Sequence, residues 1–192
     1  MNRIRCLPQL ARTARVALRL VCWFCLGAVR GTGADAVPDL NTAEFQAVFL
    51  SKFLPYVSWP NDTLPAQNQP ITVGLFGYDP FGGLLQKLVE NQETNGRKIT
   101  VKILAETNRL EIEKCQVLFV PADKMEAWLR LKSQMDDRGL LTVGADETGA
   151  FLKRGGVFSL LTQERKLEIN RRNAEKAGLK ISAKLLKISK VN

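Results

Sequence analysis

The chain has 192 residues, of which 45% are hydrophobic, and its formal net charge at neutral pH is +9. It contains no histidine, which excludes Ser-His-Asp and Cys-His nucleophile systems and every metal site that needs an imidazole ligand. The usual pairs of general base and nucleophile are therefore missing, and we do not expect an enzyme.

The first 36 residues predict a signal peptide that is removed after export. Five arginines precede a ten-residue apolar run over residues 20–29, and Ala34-Asp35-Ala36 matches the small-x-small rule of signal peptidase. The run is about half of the ~20 residues that span a bilayer, so a permanent membrane helix is not expected. A buried or interfacial helix is the alternative. We expect a periplasmic protein with one domain over residues 37–192.

The basic charge is concentrated at the C-terminal end of this domain. Residues 37–152 have a net charge of −4, whereas residues 153–192 have a net charge of +8. Such an asymmetry indicates nucleic acid, a membrane surface or an acidic protein as partner. Export argues against nucleic acid, and a solvated basic helix face is the simplest interpretation.

Cys115 is the single cysteine outside the predicted signal peptide, so residues 37–192 cannot form an internal disulfide. It is followed by the apolar run Val117–Val120, which predicts a buried position. A buried thiol has little thiolate character, and we expect Cys115 to be unreactive.

The first element of the domain is a predicted helix over residues 42–59. Asn41 is suited to cap it, with Glu44 three residues later, and Pro55 is expected to kink or end its regular part. Aromatic residues recur every fourth position and form one apolar stripe, namely Phe45, Phe49 and Phe53.

Beyond residue 70, strands and helices alternate. Strands are predicted over residues 71–76, 99–104, 117–120 and 140–143, and helices are predicted to begin at Asp79-Pro80 and at Asp123. Residues 157–161 and 167–169 predict a hairpin, and two short basic helices follow. The alternation predicts a single-domain α/β fold with a mostly parallel sheet, helices on both faces as in Rossmann and flavodoxin-like layering, and an antiparallel C-terminal strand pair.

The sequence indicates no catalytic residue, no cofactor and no metal. Gly77–Gly83 lies where a Rossmann fold has its phosphate loop, but the glycine spacing departs from G-x-G-x-x-G, and a tight turn is the simpler interpretation. Carboxylate pairs such as Asp146-Glu147 lack the apolar surroundings that would separate two pKa values into acid and base roles.

Two groups of residues are candidates for contact with a partner or with a second copy of the chain. Aromatic residues at helical spacing are usually core residues, and an aromatic binding surface is the competing interpretation. The aromatic segment contributes Lys52, Phe53, Tyr56 and Trp59. The basic tail contributes Arg171, Arg172 and Lys176.

Eight motifs in register resemble the YfiR-like periplasmic proteins and cover essentially all of residues 37–192. They lie at residues 52–60, 77–82, 95–97, 115–120, 141–143, 155–160, 168–170 and 177–186. The resemblance implies a non-enzymatic α/β protein of the periplasm, often dimeric. It also implies a relation to a repressor that contacts the periplasmic sensor of a membrane-bound diguanylate cyclase. Some members carry disulfides, which residues 37–192 cannot form internally, so redox control through such a disulfide is not expected here.

Two hypotheses follow from the residues and the resemblance. The first is a regulator that binds an inner-membrane signalling protein and lowers cyclic-di-GMP output. The second is a small-molecule-binding sensory protein that serves a histidine kinase or an outer-membrane transport receptor. A homodimer and an unidentified small ligand stay open, and neighbouring genes would separate the two hypotheses.

Overall fold

The computed structural model describes residues 41–192, so the predicted signal peptide lies outside the described residues. Its helices are α1 Thr42–Phe53, α2 Leu84–Val89, α3 Arg109–Glu113, α4 Met125–Lys132, α5 Ala150–Lys153, α6 Arg171–Lys176 and α7 Ala183–Ile188. Its strands are β1 Val57–Ser58, β2 Ile71–Phe76, β3 Glu93–Thr94, β4 Arg97–Leu104, β5 Val117–Val120, β6 Leu141–Gly144, β7 Phe158–Leu161, β8 Lys166–Ile169, β9 Lys180–Ile181 and β10 Lys190–Val191.

Eight strands form one mixed sheet in the order β10-β8-β7-β6-β5-β2-β4-β3. The five middle strands, from β7 to β4, are mutually parallel. Taken in chain order, they follow the 2-1-3-4-5 arrangement of flavodoxin-like sheets. At the two ends, β8 is antiparallel to β7 and β3 is antiparallel to β4.

The prediction of an α/β fold with an antiparallel C-terminal pair is confirmed, but the sheet is mixed rather than mostly parallel. One cause is the tight Asn95-Gly96 turn, whose positive φ angles of 53° and 68° fold β3 back onto β4. The other is β10, which pairs in parallel with β8 and therefore also runs against the five middle strands. Two-residue strands such as β3 and β10 leave no periodic signal in a sequence.

The strands β2, β5, β6 and β7 are buried on both faces, and their side chains alternate between two cores. Val73 and Phe119 belong to the core that also contains residues of α1, α2, α6 and α7. Phe76 and Leu118 belong to the core beneath α3, α4 and α5. Because successive side chains of a strand point to opposite faces, each apolar strand contributes to both cores.

Helix α1 begins as the sequence predicts. The side-chain carbonyl oxygen of Asn41 accepts a hydrogen bond from the backbone N–H of Glu44. The Glu44 carboxylate accepts one from the backbone N–H of Asn41, and both contacts measure 3.0 Å. The helix ends at Phe53, and Pro55 lies in the short 3-10 helix that follows. The regular helix thus ends just before Pro55, as the sequence predicts, because the proline ring interrupts the α-helical hydrogen bonds.

The two other predicted helix starts are displaced along the chain. Asp79 accepts backbone N–H groups from Phe81 and Gly83 at 2.8 and 2.7 Å and so holds a turn, while α2 begins only at Leu84. Gly83 has a φ of 82°, which a right-handed helix cannot contain. Asp123 caps no helix: it lies within a 3-10 turn and accepts a hydrogen bond from the Tyr78 hydroxyl at 2.9 Å.

Candidate partner-binding surface

A two-stranded antiparallel sheet joins the aromatic segment to the basic tail. Val57 of β1 pairs with Ile181 of β9, and Ser58 pairs with Lys180. The backbone N–H of Ser182 donates to the carbonyl oxygen of Tyr56 at 2.9 Å and extends this contact. The structure thus places side by side two segments that the sequence indicated separately.

This small sheet lies at the end of the main sheet where the parallel strands begin. The indole N–H of Trp59 donates to the carbonyl oxygen of Gln116 at 3.1 Å, and Gln116 directly precedes β5. The N–H of Gly139, shortly before β6, donates to the carbonyl oxygen of Ala177 at 2.8 Å. The surface therefore lies opposite the carboxyl ends of the strands, where sheets of this order bind small ligands.

Phe53 and Trp59, two of the candidate interface residues, are core residues. Their exposed fractions are 2% and 6%, and the Phe53 ring packs edge-on against Phe158 with 5.1 Å between ring centroids. Of the two interpretations that the sequence left open, the burial of these rings favours core residues over a binding surface. The helical spacing buries one side of the segment, and a partner reaches only the other side.

The exposed side of the segment consists of Lys52, Pro55, Tyr56 and Ser58. Tyr56 is 40% exposed and is one of the few large aromatic side chains on the surface. Tyrosine is enriched at the energetic centres of protein interfaces, because it combines a large apolar ring with a polar tip. Tyr56 and Lys52 are thus the candidates of this segment that a partner can touch.

Helix α6 presents the basic candidates to solvent because its opposite side is fixed to the domain. Asn170 caps the helix, and the side-chain amide of Asn173 donates to the carbonyl oxygens of Leu152 and Gly156 at 2.8 and 2.7 Å. Ala174 is the buried residue on the side of the helix that faces the domain. The candidates Arg171, Arg172 and Lys176 are all exposed.

The basic side chains differ in how they are paired. Arg171 binds Glu175 at 3.0 Å within the same helix, an exposed pair of the kind that contributes little. Among the described residues, Arg172 and Lys176 have no ion-pair partner. Burial lowers the pKa of Lys132, and the positive charge of Lys176 lowers it further. Arg172 and Lys176 therefore leave positive charge on α6 that no ion pair of the described residues compensates, and such charge favours an acidic partner.

A recess lies at the opposite end of the sheet and was not indicated by the sequence. It has a volume of about 510 Å³ and is lined by the first turns of α1 together with the loops that follow β5, β6 and β7. In it, the Gln46 amide donates to the Thr162 hydroxyl at 3.3 Å, and Glu147 accepts from the backbone N–H of Gln163 at 3.1 Å. Carboxyl ends of parallel strands are the usual ligand site of such sheets.

Cys115 is buried, as predicted, and its thiol lies 3.3 Å from the carbonyl oxygen of Glu111. Burial raises the pKa of Cys115 to about 11. Within residues 41–192 no group of three or more His, Cys, Asp or Glu side chains is arranged to hold a metal ion. None of the helices described in this part of the chain has the length and apolar character needed to cross a bilayer.

Comparison with protein families gives a match over residues 43–190, which covers most of the chain, to the family DUF4154, described as YfiR/HmsC-like. The chain belongs to the YfiR/HmsC-like family. This confirms the resemblance carried by the eight motifs. The YfiR/HmsC-like family is periplasmic and regulatory, and it is known for regulating diguanylate cyclases.

A solved structure supports the fold. This YfiR/HmsC-like chain is similar to the crystal structure of a conserved domain protein from Vibrio cholerae O1 biovar El Tor, with a TM-score of 0.50 and 17% sequence identity. The similarity covers 80% of this chain and 60% of the Vibrio chain, so it spans less than two thirds of that protein. No curated protein matches the sequence.

Proposed function

We propose that this YfiR/HmsC-like protein is a non-enzymatic periplasmic regulator. In this proposal it binds the periplasmic sensor of an inner-membrane diguanylate cyclase and represses the enzyme, so that cyclic-di-GMP falls. The family match over residues 43–190 is the observation that carries the proposal. Export through the predicted signal peptide brings the protein to the same compartment as the sensor.

The surface built from β1, β9 and α6 is the proposed contact with the sensor. Tyr56 supplies an aromatic anchor, and Arg172 and Lys176 supply positive charge that is not compensated by ion pairs within the described residues. Aromatic anchors mainly contribute affinity, whereas exposed charges mainly set the rate of association. The complementary surface of the sensor is therefore acidic around an apolar pocket.

The test compares two tyrosines of nearly equal exposure at opposite ends of the sheet, Tyr56 at 40% and Tyr78 at 41%. We expect Tyr56→Ala to weaken binding of the purified sensor domain by at least about tenfold, the range of an interface anchor. Tyr78→Ala is expected to leave the dissociation constant within about twofold, since most surface positions lie outside the anchor. Cyclic-di-GMP in cells that co-express the cyclase should rise with Tyr56→Ala only.

The outcomes of this test distinguish an error in the proposed contact surface from an error in the proposed function. If Tyr56→Ala folds normally and still represses, the contact with the sensor lies elsewhere on the molecule. If the wild-type protein neither binds the sensor domain nor changes cyclic-di-GMP, the proposed function is wrong.

The second candidate function is a small-molecule-binding sensory protein whose partner is a sensor histidine kinase or an outer-membrane transport receptor. The recess of about 510 Å³ at the carboxyl ends of β5, β6 and β7 favours it, since its volume is within the range of ligand pockets. A thermal-shift screen of small metabolites would identify a ligand. The genes adjacent to this one would show whether a cyclase, a kinase or a receptor is the partner. A homodimer is compatible with both functions and is tested by light scattering.

A further inference from the structure

The outer edge of β4 has no strand beside it over most of its length. On its inner side, β4 pairs with β2 over six residues, from Ile99 to Leu104. On its outer side, β3 pairs only with Arg97 and Lys98. Within residues 41–192, the edge from Ile99 to Leu104 is thus open.

The backbone groups that face outward on this edge can be identified. The carbonyl oxygen of Leu104 accepts from the N–H of Gly77, which directly follows β2, so Leu104 faces the sheet. Alternate residues of a strand direct their backbone groups to opposite edges, so Val101 and Ile103 face outward. The N–H of Val101 is met by the side-chain oxygen of Gln86 at 3.3 Å, a long contact that an incoming strand can replace.

The side chains of this edge differ on its two faces. Ile103 is 60% exposed, although isoleucine is among the side chains most often buried. Lys102 points to the other face, where its charge lowers the pKa of Glu111, after the larger effects of Lys114 on that carboxylate. Lys98 is exposed as well. An isoleucine on one face and lysines on the other define what kind of strand can pair here.

A second copy of the chain is a poor partner for this edge, because lysines on an edge strand meet like charges and oppose self-association. An extended segment with acidic side chains on one face can form ion pairs with the lysines. Apolar side chains on its other face can cover Ile103. We infer that the outer edge of β4 binds an extended acidic segment of a partner protein by strand addition. The inference rests on the proposed function only in requiring that the protein acts through a partner.

The probe is a synthetic peptide in which glutamate and valine alternate. It has about eight residues, which is within the usual length of a strand. The control peptide has lysine in place of glutamate. In NMR titrations of the protein, the glutamate peptide should shift the amide signals of Val101 and Ile103 and slow the exchange of their amide protons. The lysine peptide should not produce these changes.

Charge reversal of one lysine provides the matched variant. Lys102→Glu should weaken binding of the glutamate peptide by about fivefold and strengthen binding of the lysine peptide, since exposed pairs contribute modestly. Lys153→Glu, at an exposed lysine of α5, should change neither affinity by more than about twofold, because α5 lies between β6 and β7, and the strands β5 and β2 separate β6 from β4. Both sites are exposed, so both variants are expected to fold.

The inference is overturned if the amide signals of Val101 and Ile103 do not respond, or if both peptides bind equally. It is also overturned if these amides shift with protein concentration alone, which would identify a second copy as the occupant. None of these outcomes concerns the sensor. Binding of the sensor domain to the Tyr56 surface is measured separately, so the failure of one proposal is distinguishable from the failure of the other.

Discussion

Asp146 is a buried carboxylate that remains charged because of its hydrogen bonds. Burial acts to raise its pKa, but hydrogen bonds from the Thr148 side chain and from backbone N–H groups, that of Phe151 among them, outweigh burial and lower it. The contacts measure 2.6 Å to the Thr148 hydroxyl and 2.7 Å to the N–H of Phe151. The carboxylate thereby organises the turn that leads into α5.

Asp146→Asn should lower the free energy of unfolding by about 1–3 kcal/mol at pH 7, because charge-assisted hydrogen bonds are lost at a buried site. Asp62→Asn is the control, since Asp62 forms only an exposed pair with Arg138 at 2.7 Å. Asp62→Asn should lower the free energy of unfolding by less than about 1 kcal/mol. Urea unfolding monitored by circular dichroism measures both.

The pH dependence of Asp146→Asn has a definite sign. A carboxylate whose pKa is lowered on folding stabilises the folded state above its unfolded pKa, 3.8 for Asp146, and this contribution is lost as the pH falls through the lower folded value. The difference between wild type and variant should therefore shrink below pH 3.8. A constant difference down to pH 2 would contradict this assignment.

Cys115 gives the opposite sign, because burial raises its pKa from 9.0 to about 11. The folded state disfavours the thiolate, so stability is fully present below pH 9 and declines as the pH rises toward 11. Relative to Cys115→Ala, the wild type should lose about 2 kcal/mol between pH 9 and pH 11. An Ellman titration provides the second measurement: Cys115 should react only after unfolding. Rapid reaction at pH 7 would place the thiol on the surface.

At the scale of elements, the indole of Trp59 fastens the segment after β1 to the chain before β5. Trp128 provides a matched comparison within the same protein, since both side chains are buried but the indole N–H of Trp128 has no hydrogen-bond partner in the described part of the chain. Substitution by phenylalanine shrinks either side chain. Only at position 59 does it also leave the carbonyl oxygen of Gln116 without its donor.

Trp59→Phe should therefore cost about 1 kcal/mol more in unfolding free energy than Trp128→Phe, the net contribution of one hydrogen bond plus a partly unsatisfied acceptor. It should also weaken sensor binding, because β1 positions Tyr56 next to β9. Equal costs for the two variants would show that the Gln116 contact contributes nothing. Normal sensor binding by Trp59→Phe would show that Tyr56 does not depend on this anchor.

The long elements were predictable from sequence because their signals are local. Apolar runs locate β2 and β5, and the Asn41 cap locates the start of α1. The strands β1, β9 and β10 were not predictable, because each has two residues and depends on contacts distant in sequence. Periodicity also could not distinguish Tyr56, which is exposed, from the buried Phe53, since the 3-10 turn at Pro55 changes the direction of the side chains.

At the scale of the whole molecule, residues 153–192 carry a net charge of +8, and this predicts a salt-dependent association. Raising the ionic strength from about 0.05 to 0.5 M should slow the association of the sensor domain by about tenfold, since screening shortens the range of exposed charges. A double variant, Arg172→Ala with Lys176→Ala, should show a weaker dependence and a nearly unchanged dissociation rate. Stopped-flow measurement tests this, and an equal salt dependence in both proteins would contradict it.

The packing of α1 against β7 also has a consequence for folding during synthesis. The Phe53–Phe158 contact joins positions 105 residues apart, and the bond between Gln46 and Thr162 spans 116. Long-range contacts of this kind slow folding, since much of the chain must be ordered before they form. Because the chain is synthesised from its N-terminus, the aromatic stripe of α1 is exposed well before β7 has been made and can cover it. Until then, that stripe is a binding site for holding chaperones and for other unfinished chains.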